Sequence, residues 1–318
     1  MRLTHTITVG HLARHVPPAS NLGRDYALLD IAQDFLLAEF HRAGLFDGPC
    51  VFKGGTALRK HFSGPAGRFS LDLDLAVGHV GADPHGIANR VSEVVAAADH
   101  QGFGYRSEMR RGRLSIHVDA DLGHVPQPVK VDVSPPPWLA PDVRRFVAAP
   151  VHARYDFALP SLPVVRFEEV LAEKIARLAR TSTARDAADL VWAATTSPHS
   201  QMDRELVRRM AVLKVWVDNH GMDGHWHQAP GAAPFEPDVW LQAARDWDDE
   251  NIGLLAHPPP KLAHLEHDRA AHYGWLDELD ADERRWARCD PRDRADVVNA
   301  IVTLPGSHLE ADSIWSTY

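Results

Sequence analysis

Apolar positions recur at helical spacing over residues 22 to 44, with Leu28, Ala32, Phe35 and Leu36 on one face and Gly44 as the stop. The pattern then shortens. Pro49-Cys50-Val51-Phe52 predicts a short buried strand, Gly54-Gly55 breaks it, and Thr56 to Phe62 predicts a short helix. Ser63 to Gly67 reads as a loop. From Ser70 to Val77 polar and apolar residues alternate, the period of two that marks a strand. Residues 84–100, rich in Ala and Val, predict a helix. Tyr105 to Met109, Leu114 to Val118 and Val129 to Val133 predict three more strands, and Pro135-Pro136-Pro137 ends the last. From Phe167 onward the pattern is helical: Phe167 to Arg180, Arg185 to Ala194, and residues 203–218, 236–247, 262–280 and 291–302. Loops rich in Pro, Gly and His separate these helices, notably Gly221 to Pro237 and His257-Pro258-Pro259-Pro260. The expected architecture is an α/β (α+β) lobe with a mixed sheet over residues 1–160, then a mainly helical lobe over 161–318.

Composition narrows the classes. A chain of 318 residues is long enough for two domains. Apolar residues at 45% and charged residues at 24% suit a folded protein, which excludes disorder along the whole chain. No apolar run approaches the ~20 residues that span a bilayer, so no membrane partner is expected. Met1-Arg2-Leu3-Thr4-His5-Thr6 has no long apolar core of a signal peptide. The two cysteines, Cys50 and Cys289, stand far apart and make neither a disulfide framework nor a zinc cluster. The expected compartment is the cytoplasm. Charge is uneven: residues 201–318 hold 12 basic and 22 acidic residues, a net of −10, whereas residues 1–200 carry a net of +1. A polyanion would meet the first part of the chain, in a local groove rather than over a general coat.

The chemistry concentrates in Lys53-Gly54-Gly55-Thr56 and Arg68-Phe69-Ser70-Leu71-Asp72-Leu73-Asp74-Leu75. On a strand, residues i and i+2 face the same way, so Ser70, Asp72 and Asp74 share one side and the leucines anchor the other. Two carboxylates pointing together repel, a cost that a bound cation removes. Carboxylate oxygens suit Mg²⁺, whose usual shell is one or two carboxylates plus substrate phosphates, and one or two ions fit such a pair. Upstream, two glycines between a strand and a helix let backbone amides approach a phosphate, helped by the helix N-terminus. Thr56 is placed to cap that helix or to give its hydroxyl to a phosphate. Lys53 and Arg68 read either as phosphate contacts or as solvated loop charges. A cradle ahead of an acidic pair implies a nucleoside triphosphate (NTP) bound through Mg²⁺. A third acid, Asp132, lies on the outward side of the strand Lys130-Val131-Asp132-Val133-Ser134. It is a candidate metal ligand, or a base for an attacking hydroxyl, if that strand neighbours the one carrying Asp72.

This constellation resembles the DNA polymerase beta-like nucleotidyltransferase superfamily, and within it the AbiEii/AbiGii-type nucleotidyltransferase toxins, a wider group that includes the Men-type tRNA-modifying toxins. The general superfamily pattern places the acids nearer the glycines; the 16 residues from Thr56 to Leu71 suit the toxin branch. Matching extends over roughly residues 50–195, through Glu173-Lys174-Ile175-Ala176-Arg177 and Arg185-Asp186-Ala187-Ala188-Asp189-Leu190. The resemblance implies a nucleotidyltransferase-like fold, active-site roles for Lys174 and Asp186 at an interlobe cleft, a tRNA 3′ end or other RNA as acceptor, a place in a toxin–antitoxin or phage-defence pair, and a separately encoded antitoxin partner.

The helical pattern speaks to Lys174 on its own. Phe167, Leu171, Ile175 and Leu178 form one stripe, and at ~100° per residue Lys174 lies only about 60° from its centre. Such a lysine either snorkels outward or reaches into a cleft, with Arg177 one turn along the same edge to meet a triphosphate. Asp186 positions Lys174 or touches the nucleotide in the functional reading; Arg185 with Asp189 reads as an i,i+4 pair. Arg110, Arg111 and Arg113, with Arg144 and Arg145, are a candidate RNA-facing patch. Asp218, His220, Asp223, His225 and His227 have metal-ligand chemistry, but their glycine-rich surroundings read as a loop. The Trp and Tyr residues near 240–275 read as helix-packing core. The rivals to RNA modification are transfer to a protein or small molecule, and a non-catalytic nucleotide-binding module.

Overall fold

The computed structural model describes residues 7–16, 23–98, 102–125, 127–178, 184–195, 202–220, 267 and 270–311. The chain divides into two compact units, Met1–Pro136 with Pro141–Val164, and Pro137–Ala140 with Val165–Tyr318.

The first unit is built on a seven-stranded mixed sheet. In chain order its elements are α1 (Val9–His15), α2 (Arg24–Arg42), β1 (Cys50–Lys53), α3 (Gly54–Leu58) running into a π-helical turn (Arg59–Ser63), β2 (Leu73–Val77), α4 (Pro84–Ala97), β3 (Phe103–Arg110), β4 (Arg113–Ala120), β5 (Val129–Ser134), β6 (Asp142–Arg144) and β7 (Leu162–Val164). The strands lie in the order β3-β4-β5-β2-β1-β7-β6. Strand β2 runs antiparallel to β1 and parallel to β5, while β1 is parallel to β7. Phe52, Leu73, Leu75 and Val131 turn into a core shared with Leu28, Ile31, Ala32, Phe35 and Leu36 of α2. Local rules account for the ends of several elements. Asp83 caps α4 by accepting from the amides of His85 and Gly86, with Pro84 in the first turn. Arg111 and Gly112, both with positive φ, close the β3–β4 hairpin as a tight primed turn.

Two expectations change. Gly54-Gly55 ends the strand at Lys53 as expected, but helix α3 starts at Gly54 rather than Thr56, and the helical path continues through the π turn to Ser63. The strand expected from Ser70 begins at Leu73, because the carbonyls of Ser70, Leu71 and Asp72 accept hydrogen bonds from side chains. Elements α1, β6 and β7 left no signal in the sequence. The two strands are three residues each, too short to display a period.

The second unit packs α5 (Phe167–Leu178) against α6 (Ala184–Thr195) and α7 (Arg204–His220), followed by the shorter helices Ala281–Trp286 and Arg294–Val302. Val170, Leu171, Ile175, Leu190, Met210, Leu213 and Trp216 form its buried interior. Tyr273 and Trp275 pack there as expected, with the Tyr273 hydroxyl donating to the Leu190 carbonyl. The expected helix 236–247, the loops Gly221 to Pro237 and His257 to Pro260, and the first part of the expected helix 262–280 lie outside the described residues; that stretch ends in a 3-10 turn at Gly274–Asp277. Among the described residues no helix is long and apolar enough to cross a membrane.

The segment Pro137–Ala140 is tied into this unit by bonds to Gly306 and His308 and by a buried carboxylate. Glu169, fully buried, accepts from the amides of Trp138 and Leu139 at 2.8 and 2.9 Å and from Lys214 Nζ at 3.0 Å. The Lys214 ammonium also sits 4.1 Å from the centre of the Trp138 ring. Glu169→Ala leaves two amides and an ammonium buried without that acceptor, so a loss of about 3–5 kcal/mol of unfolding free energy is expected. Urea titration followed by circular dichroism measures it.

Candidate active site

Lys53, Asp74 and Asp132 occupy matching register positions on three neighbouring strands, Lys53 opposite Asp74 in the β1–β2 pair and Asp74 opposite Asp132 in the β2–β5 pair. Cross-strand partners project to the same side of a sheet. That side is turned away from the core, which takes Leu73, Leu75 and Val131 instead. Asp72 and Asp74 are half-buried and Asp132 is exposed.

Helix α3 starts beside this row. Gly54 has φ +78, a conformation L side chains rarely adopt. A Cβ built on it would lie 1.8 Å from Asp74 Oδ2 and 2.6 Å from its Cγ. The carboxylate therefore rests directly on the space the glycine vacates. A Cβ on Gly55 would meet Arg68 Nη2 and Ser70 Oγ, each at 2.9 Å. Gly54, Gly55, Arg68, Ser70 and Asp74 are thus brought together at the first turn of α3, where backbone N–H groups lack intrahelical partners. Thr56 departs from the sequence reading. It is fully buried, it does not cap α3, whose N-cap is Lys53, and its hydroxyl donates to the Asp72 carbonyl.

Among the described residues no group of three His, Cys, Asp or Glu side chains is arranged to hold a metal ion. Asp72, Asp74 and Asp132 therefore do not make a closed protein cage. Their hard oxygen donors in glycine-cleared space fit an ion that takes one or two carboxylates and completes its shell from a substrate's phosphates or water.

Behind the site lies a group of residues that sequence reasoning missed. Asp30, Gln33 and Asp34 fall on one face of α2 and are all buried. Lys60 Nζ lies 2.6 Å from Asp34 Oδ1 and 3.1 Å from Asp30 Oδ1, and Arg59 Nε lies 3.1 Å from Asp30 Oδ1. His15 Nε2 approaches Asp30 at 2.7 Å and the Tyr155 hydroxyl donates to Asp34 at 2.6 Å. Burial alone would raise both carboxyls. The Arg59 and Lys60 charges hold Asp30 well below the usual carboxylate range, and Lys60 with His152 lowers Asp34. Gln33 Nε2 donates to the carbonyls of Ser70 and Leu71, each at 3.1 Å. The available signal was three polar residues at i, i+3 and i+4 inside the otherwise apolar stretch Ala27 to Ala38 of the helix.

In the second unit Lys174 Nζ lies 2.9 Å from Asp186 Oδ1 and 2.8 Å from Asp189 Oδ2, all three side chains being buried. The lysine does not snorkel outward. Asp189 meets Lys174, a partner the i,i+4 reading with Arg185 did not anticipate. Arg177 is exposed, with Nε 3.5 Å from Asp186 Oδ2.

The expected arginine patch divides in two. Arg110, Arg111 and Arg113 belong to the β3–β4 hairpin at one edge of the sheet, and Arg144 to β6 at the other. Six strand spacings of about 4.8 Å separate those edges. Of the five-residue Asp/His cluster, Asp218 and His220 end α7, where His220 Nε2 donates to the Cys289 carbonyl at 3.0 Å. Asp223, His225 and His227 lie outside the described residues.

Comparison with known proteins adds three findings. Residues 36–277 match the family model described as nucleotidyl transferase AbiEii toxin, type IV toxin–antitoxin system. Among solved structures, MenT4, a nucleotidyltransferase toxin from Mycobacterium tuberculosis H37Rv, is 36% identical with a TM-score of 0.80, over 94% of this chain and 99% of that one. CdnC of E. coli MS115-1, solved with ATP, is 11% identical with a TM-score of 0.26, over 96% of this chain and 99% of that one. The comparison with curated proteins gives no match.

Proposed function

Because the chain belongs to the AbiEii family of nucleotidyltransferase toxins from type IV toxin–antitoxin systems, we propose that it moves a nucleoside monophosphate from an NTP to the 3′-hydroxyl of an RNA, a tRNA end in particular, and releases pyrophosphate. The observation that carries this reading is the Asp74 carboxylate seated over Gly54 at the start of α3.

The triphosphate docks on the amides of Gly54 and Gly55, with Ser70, Arg68 and Lys53 at its margin and Thr56 buried beneath, holding the Asp72 carbonyl. Asp72 and Asp74 hold Mg²⁺, one ion or two, with Asp132 alongside as a further ligand or as the base. When bound, that cation neutralises the triphosphate and lowers the charge barrier to an incoming hydroxyl. Asp132, exposed and in register with Asp74, is placed to take the proton of the acceptor hydroxyl. Lys174 is the ammonium assigned to the departing pyrophosphate, and Asp186 and Asp189 fix its position. Arg177 adds a second positive charge. The donors act as preorganised charge, since each is held before substrate arrives. The reaction belongs in the cytoplasm, with the cognate antitoxin as the protein partner and phage defence as its setting.

Incubation with each of four α-labelled NTPs, Mg²⁺, and either total RNA, purified tRNA or total protein tests the reading. Label is expected on tRNA, and periodate oxidation of the 3′ end should abolish it. Label on protein alone, or on a small-molecule acceptor alone, overturns the RNA assignment. No transfer and no Mg²⁺-dependent NTP binding would leave a non-catalytic module.

A further inference from the structure

The segment carrying Ser70 and Asp72 reaches the site without support from the sheet. Strand pairing of β2 starts at Leu73, opposite Val131. Three consecutive carbonyls just before it are bonded by two side chains from elsewhere in the chain: Gln33 for Ser70 and Leu71, Thr56 for Asp72. Both Gln33 contacts are to carbonyl oxygens, so the amide nitrogen must face them. Its Oε1 is buried with no hydrogen-bond partner among the described residues. An idle buried acceptor opposes folding and offsets part of what the two donated bonds contribute, so net stability is a weak reason for glutamine rather than leucine or methionine at this position.

The neighbours of Gln33 on the helix supply the reason. Asp30 and Asp34 grip Arg59 and Lys60, the first residues of the π turn that continues α3. The same face of α2 thus holds the helix that begins at Gly54 and, through Gln33, the segment that carries Ser70 and Asp72. The close seating of Asp74 on Gly54 and of Ser70 and Arg68 beside Gly55 requires both holds together.

We infer that Gln33 is a positioning residue: its carboxamide sets the distance between the carboxylate segment and the glycine cradle, and so the geometry in which cation and triphosphate are received. The inference rests on the function proposed above. It assigns Gln33 no contact with substrate.

Gln33→Leu and Gln33→Met test it, with Asp72→Ala/Asp74→Ala run beside them. Both Gln33 variants remove the two donors and the idle acceptor while keeping a buried apolar side chain of similar size. Transfer is expected to fall about 10²-fold, the order of loss that a displacement near 1 Å produces. The Mg²⁺ concentration for half-maximal rate should rise several-fold, with the protein still folded and its thermal midpoint lowered by a few degrees, since two carbonyls lose their donor. A readout independent of activity is amide hydrogen exchange over residues 71–74, expected to accelerate at least tenfold while the β3–β4 hairpin is unchanged. Unchanged exchange with unchanged Mg²⁺ dependence in either folded variant overturns the inference. Failure of both variants to fold also overturns it, because Gln33 would then be a core residue only. If the double aspartate variant retains full transfer, the functional reading itself has failed; if that variant is inactive and the Gln33 variants are normal, only this inference has.

Discussion

Replacing Asp72 and Asp74 together by alanine is expected to lower nucleotide transfer by about 10³-fold or more and to leave the fold intact. The rate estimate follows from several kcal/mol of charge stabilisation at a metal-assisted phosphoryl centre, each 1.36 kcal/mol being tenfold. The expectation for stability follows from position. Both side chains are half-buried, Asp74 on the outward side of β2 and Asp72 just before it, and the strand's hold on the core is through Leu73 and Leu75, which the substitutions leave alone. A labelled transfer assay and a thermal melt on the same preparation decide the matter. Transfer at the unsubstituted rate by a folded double variant refutes the carboxylate assignment.

Lys60→Met is expected to cost about 3–5 kcal/mol of unfolding free energy, the range for breaking a buried ion pair from one side. Lys60 is 5% exposed and serves Asp30 and Asp34 together. Without it Asp34 keeps the Tyr155 hydroxyl and His152 but loses its closest cation. The pH dependence has a definite sign. In the unsubstituted protein both carboxyls are held below the ordinary value of 3.8. Their stabilisation is complete above that value and is lost as pH falls through the depressed native values. In Lys60→Met, burial then governs Asp34 and raises its carboxyl, so the folded state takes up a proton more readily than the unfolded one. The deficit of the variant is therefore largest near neutral pH and narrows on acidification toward pH 4. Urea titrations at several pH values measure it; a deficit independent of pH would show that Lys60 acts through packing alone.

Much of the site was legible because it is written in short spacings. Asp74 faces outward because successive residues alternate along β2, whereas Asp72 precedes that strand, and Gly54, read as ending a strand ahead of a helix, does so and also admits Asp74 at the helix start. Lys174 fell at the rim of the α5 stripe by helical periodicity, and it is buried there with an acidic partner. Asp189 as a second partner was hidden, since both Asp186 and Asp189 face α5 and spacing does not rank them. Thr56 had an evident use at a helix start, yet its hydroxyl turns inward to Asp72. Gln33 had no reading at all, being one amide in an apolar helix 37 residues before the carbonyl it holds.

By itself the sequence determined the backbone-local features: where the chain is helical or extended, which acids project together, and which positions need a residue without Cβ. These follow from stereochemistry over one to four residues. The tertiary structure alone decided that Asp132 stands beside Asp74, that α2 grips both halves of the site, and that the two arginine groups sit at opposite sheet edges. Those facts arise from strand order and loop closure, which join residues tens of positions apart and leave no periodic trace along the chain.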